Sequence, residues 1–102
     1  MLELRPNCEL CDKDLPPEAE DACICTYECT FCRACVDNVL ENVCPNCGGG
    51  FSARPIRPST ARRDGVSLSH HPASQTRVHV KYTEDQIKDF ANSAKHILPK
   101  NR

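Results

Sequence analysis

The sequence contains few of the large apolar side chains that normally close a protein core. Its 102 residues include no tryptophan, one methionine, three phenylalanines and two tyrosines. It also lacks an apolar run of about 18 residues, which would predict a membrane span, and an apolar block behind a basic start, which would predict a signal peptide. We therefore expect a soluble, cytoplasmic protein without a membrane partner, whose small core needs metal ions or disulfides for stability.

Cysteine is confined to the first half of the chain. All nine cysteines lie between residues 8 and 47, and none follows. Charge is divided at nearly the same place, because residues 1–50 hold three basic and ten acidic side chains, whereas residues 51–102 hold ten basic and four acidic ones. The sequence therefore predicts an acidic, cysteine-rich domain over residues 1–51, called the head below, followed by a basic tail.

Eight of the cysteines form four closely spaced pairs. The pairs are Cys8-x2-Cys11, Cys25-x3-Cys29, Cys32-x2-Cys35 and Cys44-x2-Cys47. Two residues between thiols allow a tight turn to direct both sulfurs at one tetrahedral ion, so four pairs predict two zinc sites with four thiolates each. A disulfide framework is disfavoured by the odd cysteine count and the missing signal peptide. Spacing alone leaves open which pairs share an ion.

The apolar residues between the third and fourth pairs have helical spacing. Val36, Val39, Leu40 and Val43 stand at positions i, i+3, i+4 and i+7, which predicts a short helix with one apolar face. We expect this face to cover the metal-binding turns and to pack against Phe31.

The cysteine pattern resembles a RING finger. The closest parts are the stretch Cys29-Thr30-Phe31-Cys32-Arg33-Ala34-Cys35 and the Cys-Pro-x-Cys ending. The resemblance implies a small RING-like or treble-clef cross-brace with two zinc sites, one short helix and small β-hairpins. The interleaved ligand sets that it implies are Cys8, Cys11, Cys32 and Cys35 for one zinc, and Cys25, Cys29, Cys44 and Cys47 for the other.

A RING resemblance also raises the possibility of ubiquitin-ligase activity, which two positions disfavour. RING ligases usually carry an apolar residue after the first ligand and a basic residue after the last. This chain has Glu9 and Gly48 at those positions. Ligase activity is therefore a less favoured alternative.

Four segments resemble a bacterial family known as domain of unknown function 1272. They are residues 1–8, 24–35, 44–49 and 71–74. The likeness covers about residues 1–80 and implies a small, cysteine-rich, zinc-binding bacterial protein, without assigning an activity. Because that family has an apolar residue where Cys23 stands, and eight ligands already fill two sites, we predict Cys25 rather than Cys23 as the ligand. As a free thiol, Cys23 motivates an alternative function, a redox-responsive zinc–thiolate switch.

Two other uses of the cysteines are weaker. Cys29, Cys32 and Cys35 have the spacing of a ferredoxin-type motif, but its fourth cysteine would fall at Val39, so an iron–sulfur cluster is the less favoured cofactor. A catalytic zinc usually keeps an open position and has histidine or carboxylate ligands, and no histidine lies among the cysteines. We predict no catalytic residues and no enzymatic activity.

Residues 52–76 read as a basic, proline-containing arm with little regular structure. Its basic residues are Arg54, Arg57, Arg62 and Arg63. Such an arm binds phosphates or acidic surfaces, remains a solvated linker, or folds back on the acidic head. Because no aromatic residue lies among these arginines, nucleic acid is a less favoured partner.

The end of the chain alternates polar and apolar residues and then becomes helical. Alternation over residues 77–82 predicts a short strand with Val78, Val80 and Tyr82 on its buried face. The histidines at positions 70, 71 and 79 are predicted to have surface or packing roles rather than metal-binding ones.

An amphipathic helix is predicted over residues 83–98. Thr83 and Gln86 form a capping-box signature, and Pro99 ends the pattern. The apolar stripe consists of Ile87, Phe90, Ala91, Ala94 and Ile97. This stripe either packs on the head or docks a partner, and we expect a non-enzymatic adaptor whose partner is another protein.

Overall fold

A small antiparallel sheet lies at the centre of the head in the computed structural model, which describes residues 1–102. Strand β1 (Ala22–Ile24) pairs with β2 (Thr30–Cys32) on one side and with β3 (Ser52–Ala53) on the other, in the order β2-β1-β3. In the register, Cys23 lies opposite Phe31 and Ala53. Strands β1 and β2 are short because the turn that carries Cys25 and Cys29 joins them, and a helix follows β2 directly.

The helical segment follows β2 directly. Helix α1 (Arg33–Cys35) continues into a π-helical turn (Val36–Leu40), so the helix begins earlier than the apolar spacing predicts. The turn ends at Glu41 and Asn42, whose φ angles of 49° and 60° are left-handed. Asparagine tolerates this conformation, and the side-chain oxygen of Asn42 accepts a hydrogen bond from the Phe51 amide at 2.9 Å.

The core lies between the sheet and the π-helical turn. Phe31 is fully buried there beside Val36 and Leu40, together with most of the cysteines. Phe51 meets Phe31 edge to face with ring centroids 5.4 Å apart, a geometry that aromatic quadrupoles favour. The head thus contains one small cluster of apolar side chains surrounded by thiols.

The arm folds back on the head, which was one of the alternatives for it. The guanidinium of Arg54 is buried and donates to the carbonyl oxygens of Arg5, Leu15 and Pro16 at 2.8, 3.2 and 2.9 Å. Arg57 donates to the carbonyl oxygens of two further residues, Leu2 and His71. These two arginines therefore tie the arm to the head's backbone.

The strand predicted over residues 77–82 does not form. The side-chain nitrogen of Asn7 donates to the Val78 carbonyl at 2.9 Å, and the side-chain oxygen of Asn7 accepts from the Val78 amide at 3.2 Å. These bonds occupy the backbone groups of Val78 that a neighbouring strand would otherwise bond. The segment makes one backbone hydrogen bond to the head, from the Val80 amide to the Glu9 carbonyl at 2.9 Å. Tyr82, expected on a buried face, is 48% exposed. The alternation of polar and apolar residues predicted an extended segment. It could not show that the Asn7 side chain takes the place of a neighbouring strand's backbone hydrogen bonds.

Helix α2 (Glu84–Ala94) carries the predicted capping box. The Gln86 amide donates to the Thr83 hydroxyl at 3.2 Å, and the Thr83 amide donates to the Gln86 side chain at 2.9 Å. The helix ends before residue 98 because Pro99 forces an extended conformation on Leu98 and begins a 3-10 turn (Pro99–Asn101). This helix, the longest of the structure, is too short to cross a lipid bilayer, and no other helix is long and apolar enough either.

Only part of the apolar stripe of α2 is covered. Ile87 and Ala91 are buried where α2 crosses the π-helical turn, whereas Phe90 and Ile97 are 41% and 42% exposed. The helix therefore packs on its own head with one edge of the stripe and leaves the other edge open.

We expect Thr83→Ala to destabilise α2 by about 1 kcal/mol, because the substitution removes the oxygen that satisfies a helix-terminal amide. Hydrogen exchange of the α2 amides measures this effect. Ser93→Ala is the matched control, since Ser93 lies in the same helix but donates to the Phe90 carbonyl instead of capping an end. Equal effects of the two substitutions would contradict the capping role.

Candidate metal centre

The first cysteine cluster joins the first and third pairs. The sulfurs of Cys8, Cys11, Cys32 and Cys35 all lie within 4.8 Å of one another, and those of Cys11 and Cys32 are 3.8 Å apart. A tetrahedral ion with metal–sulfur bonds of about 2.3 Å requires sulfurs about 3.8 Å apart. The thiols therefore stand at distances that suit one tetrahedral ion.

Local structure explains this arrangement. Cys32 is the last residue of β2 and Cys35 the last of α1, so one helical turn returns the second sulfur to the side of the first. Cys8 and Cys11 lie on a turn that the Cys8 amide closes by donating to the Lys13 carbonyl at 2.8 Å. Cys11 is exposed, whereas the other three are buried.

The second cluster joins the second and fourth pairs. The sulfurs of Cys25, Cys44 and Cys47 lie within 4.8 Å of one another. Cys29 stands outside that set of three, but its backbone carbonyl accepts a hydrogen bond from the Cys25 amide at 3.2 Å, and the Asn46 side chain donates to its sulfur at 3.4 Å. The structure thus brings seven of the eight predicted ligands into two sets and places the eighth against the second set.

A glycine permits the turn that carries the last pair. The Gly48 amide donates to the Cys44 carbonyl at 2.7 Å, and the Cys44 amide donates to the Gly49 carbonyl at 2.8 Å. Gly48 has φ of 78°, a conformation that costs a glycine little. A Cβ at this position would also lie 3.5 Å from the ring of Phe90, so the turn and α2 approach closely here.

Burial and neighbouring thiols shift the pKa values of four cluster cysteines. Burial raises the pKa of Cys25 and of Cys35, and the neighbouring Cys29 together with burial raises the pKa of Cys44. The neighbouring Cys44 lowers the pKa of Cys29. Four neighbouring thiols ionise together only when a metal ion compensates their charge. None of the nine cysteines forms a disulfide, so both clusters can hold a metal ion.

Cys23 lies in neither cluster. Its side chain is 1% exposed on β1, and its sulfur lies 3.9 Å from the Asp21 carbonyl oxygen. Burial raises the pKa of this thiol. Buried, protonated thiols react slowly, so the residue that suggested a redox switch is poorly placed to act as one.

The histidines and the iron–sulfur motif contribute nothing to the clusters. His70 bonds the Ser67 hydroxyl at 2.8 Å, and His79 lies 3.8 Å from the Asp12 carboxylate. Cys29 lies with the second cluster while Cys32 and Cys35 lie in the first, so the ferredoxin-type motif is not assembled.

Sequence reasoning missed the central role of Glu9. Its side chain is 1% exposed, and its carboxylate accepts hydrogen bonds from the Thr30 amide and from Arg5 at 3.0 Å. The Glu9 amide also donates to the Thr30 carbonyl at 2.9 Å, so Glu9 closes the open edge of β2. Burial raises the pKa of this carboxyl despite the opposing effect of the Thr30 amide and Arg5. No sequence signal distinguishes such a residue, because its partner lies 21 positions away.

Comparison with known proteins agrees with the resemblance noted above. Residues 1–57, more than half of the chain, match the model of a family described as "Protein of unknown function (DUF1272)". An uncharacterized protein of Rhizobium meliloti (strain 1021) is 54% identical over 78 residues, which are 76% of this chain and 86% of that protein. No solved structure matches the chain significantly. With its paired cysteines in two clusters and this match over the whole head, the chain belongs to the DUF1272 family.

Proposed function

We propose that the chain is a non-enzymatic, RING-like module that holds two zinc ions and binds another protein. Zinc suits both clusters because it is tetrahedral, accepts four thiolates and has no redox chemistry of its own. The interleaved clusters, the short sheet and the helix after β2 support a RING-like arrangement. Free thiols throughout fit a reducing compartment such as the cytoplasm.

The composition of the clusters supports a structural role for the metal. Both consist of cysteines alone, and neither brings a histidine or carboxylate into its set of donors. Four thiolates complete the coordination of zinc and leave no position for water or substrate. Each ion would then stabilise the fold and carry out no reaction.

An exposed patch beside the second cluster is the observation that carries the binding role. Tyr82 and Phe90, 48% and 41% exposed, line a hollow of about 390 Å³ with Pro45, Asn46 and Gln86, called the aromatic patch below. Aromatic side chains with polar neighbours are enriched in protein interfaces, where they supply much of the binding energy. The patch includes the open edge of α2, so head and tail form it together.

The geometry gives less support to the two alternative binding functions. The Glu9 side chain is buried against Thr30, and Gly48 has no side chain, so neither position presents what a RING ligase uses. Nucleic-acid binding needs free cations, but Arg54 and Arg57 bond backbone carbonyls. Only the exposed Arg62 and Arg63 of the arm have no partner within the chain.

Metal analysis tests the first half of the proposal. Native mass spectrometry beside elemental analysis of the purified chain should find two zinc ions per molecule. A count of zero or one, or iron in place of zinc, would contradict it.

Substitution of the aromatic patch tests the second half. We expect Tyr82→Ser with Phe90→Ser to weaken capture of a protein partner by at least about 30-fold, because central aromatic side chains of interfaces contribute about 2 kcal/mol or more. The matched control is Tyr27→Ser, since Tyr27 is 73% exposed outside the patch. A partner that binds the wild type, the double variant and the Tyr27 variant equally would show that the aromatic patch is not the interface.

A further inference from the structure

Residues 58–68 form a surface loop that is closed at its neck, called the arginine loop below. The Leu68 amide donates to the Pro58 carbonyl at 2.9 Å, so the two ends of the loop lie side by side. Before the neck, Arg57 donates to two backbone carbonyls of other segments, and after the tip Ser67 is fully buried. Compact loops whose ends are fixed in this way are frequently functional.

The tip of the arginine loop, residues 59–65, makes almost no contact with the rest of the chain. Every residue from Ser59 to Asp64 is exposed, and none of their side chains has a polar partner. One backbone hydrogen bond involves the tip, from the Val66 amide to the Arg63 carbonyl at 3.4 Å. A Cβ at Gly65 would meet no atom within 4 Å. A protease binds several consecutive residues through their backbone, so an exposed tip with a free backbone is a preferred place for a cut.

The other basic residues are protected from a protease that cuts after lysine or arginine. Arg5, Arg54 and Arg57 are each followed by proline, which lacks an N–H and restricts the residue before it, so these bonds are poor substrates. Five others pair with carboxylates, namely Lys13, Arg33, Arg77, Lys88 and Lys95.

Three basic residues of the tail outside the loop lie in ordered surroundings. Lys81 follows Val80, whose amide donates to the Glu9 carbonyl, and precedes the capping box of α2 by two positions. Lys100 lies in the 3-10 turn, and Arg102 donates to three backbone carbonyls. Arg62 and Arg63 alone combine a basic side chain with a free backbone.

We propose that the arginine loop is a processing site for endoproteases of the trypsin class, whose acidic specificity pocket accepts an arginine side chain. Water adds to the carbonyl carbon of the peptide bond after Arg62 or Arg63, and the carbon–nitrogen bond breaks. One fragment gains a carboxylate and the other an ammonium group. The neck presents the tip to the protease while the rest of the chain stays folded.

The two fragments remain bound to each other after the cut. The Asn7 side chain bonds the backbone of Val78, and Arg77 binds two carboxylates of the head, both at 2.8 Å. Ile87 and Ala91 are buried where α2 packs on the head. Cleavage therefore converts the tail from a covalent extension into a separate chain that is held by these contacts.

Cleavage also changes how the aromatic patch is held together. Tyr82 and Phe90 belong to the tail fragment, whereas Pro45 and Asn46 belong to the head fragment. After the cut the patch exists only while the fragments are associated, so partner binding becomes dependent on their concentration and on salt, which weakens the exposed Arg77 pairs. This consequence rests on the proposed binding function.

Limited digestion of the purified full chain with trypsin tests the proposal, with mass spectrometry under denaturing and native conditions as the readout. The first products should be a fragment that ends at residue 62 or 63 and its complement, and native spectra should show the two as one particle. The loop should be cut at least about 100-fold faster than any other site, because cleavage elsewhere requires local opening and each 1.4 kcal/mol of opening slows it about tenfold. An earlier cut after any other basic residue, or fragments that separate at micromolar concentration, would overturn the proposal.

A pair of variants separates the loop's conformation from its arginines. Arg62→Gln with Arg63→Gln should resist trypsin under conditions that cut the wild type fully, yet subtilisin, which does not require arginine, should still cut the double variant first within the loop. Lys81→Gln is the matched control and should be cut like the wild type. A first subtilisin cut outside the loop would show that the loop is not presented to proteases. No digestion needs a partner, so failure of this inference is distinguishable from failed capture of a partner by the aromatic patch.

Discussion

Replacing Cys32 by alanine will abolish cooperative folding of the head, and removing metal with a strong chelator will have the same effect. Structural zinc contributes about 10–16 kcal/mol per site in small zinc peptides, which equals or exceeds the whole stability of a typical domain. The apolar cluster around Phe31 is too small to replace that contribution. Far-UV circular dichroism and limited proteolysis, with and without chelator, measure the loss.

Cys23→Ala is the matched control for this experiment. Cys23 and Cys32 are both buried and lie on the paired strands β1 and β2, but only Cys32 belongs to a cluster. We expect the control to lose about 1 kcal/mol, the usual cost of a single substitution, and to retain both metal ions. A chelated wild-type chain that stays folded, or equal losses in the two variants, would contradict metal-dependent folding.

Replacing Glu9 by leucine will lower the free energy of unfolding by about 1–3 kcal/mol. The substitution leaves the buried Thr30 amide without an acceptor and removes the buried carboxylate that pairs with Arg5. An unsatisfied buried amide costs this much, whereas Arg5 keeps Glu3 as a partner. Urea denaturation of the metal-loaded chain measures the change.

Glu3→Leu provides the comparison for Glu9. Glu3 binds the same Arg5 guanidinium at 2.6 Å, but its side chain is 46% exposed, and exposed ion pairs contribute about 0–1 kcal/mol. We expect the Glu3 variant to differ little from the wild type. A loss below about 1 kcal/mol for the Glu9 variant would show that the carboxylate is not a structural centre of the head.

Local patterns predicted the features that depend on near neighbours in the chain. Two cysteines of one pair bind the same tetrahedral ion, so their spacing is fixed within a single turn of the chain. The capping box of Thr83 and Gln86 likewise lies within one helical turn. The interleaving of pairs is a long-range property, and it entered through the resemblance to RING fingers instead of through spacing. The apolar stripe of α2 was visible in the sequence, but its division into a covered and an open edge was not.

The features that sequence reasoning missed involve polar groups with distant partners. The sequence allowed the arm to fold back on the acidic head, but it did not show that Arg54 would bond carbonyl oxygens of Leu15 and Pro16, 39 and 38 positions away. Whether an arginine is buried and bonded to carbonyl oxygens or exposed to solvent depends on the completed fold. An arginine in a polar segment looks the same in the sequence in either case. The spacing of apolar residues also could not predict that the turn after α1 is π-helical, because several helix types can present one apolar face.

The amide of Asn7 has a consequence for where this protein can be shortened. Asn7 is fully buried and bridges to Val78, 71 positions later, so a chain ending near residue 57, where the family match ends, would lose both hydrogen bonds between the Asn7 side chain and Val78. Such a chain would also lose the hydrogen bond from the Val80 amide to the Glu9 carbonyl and the packing of Ile87 against the core. The smallest autonomous unit therefore extends through α2, and its boundary is set by contacts across space instead of by the region of sequence similarity.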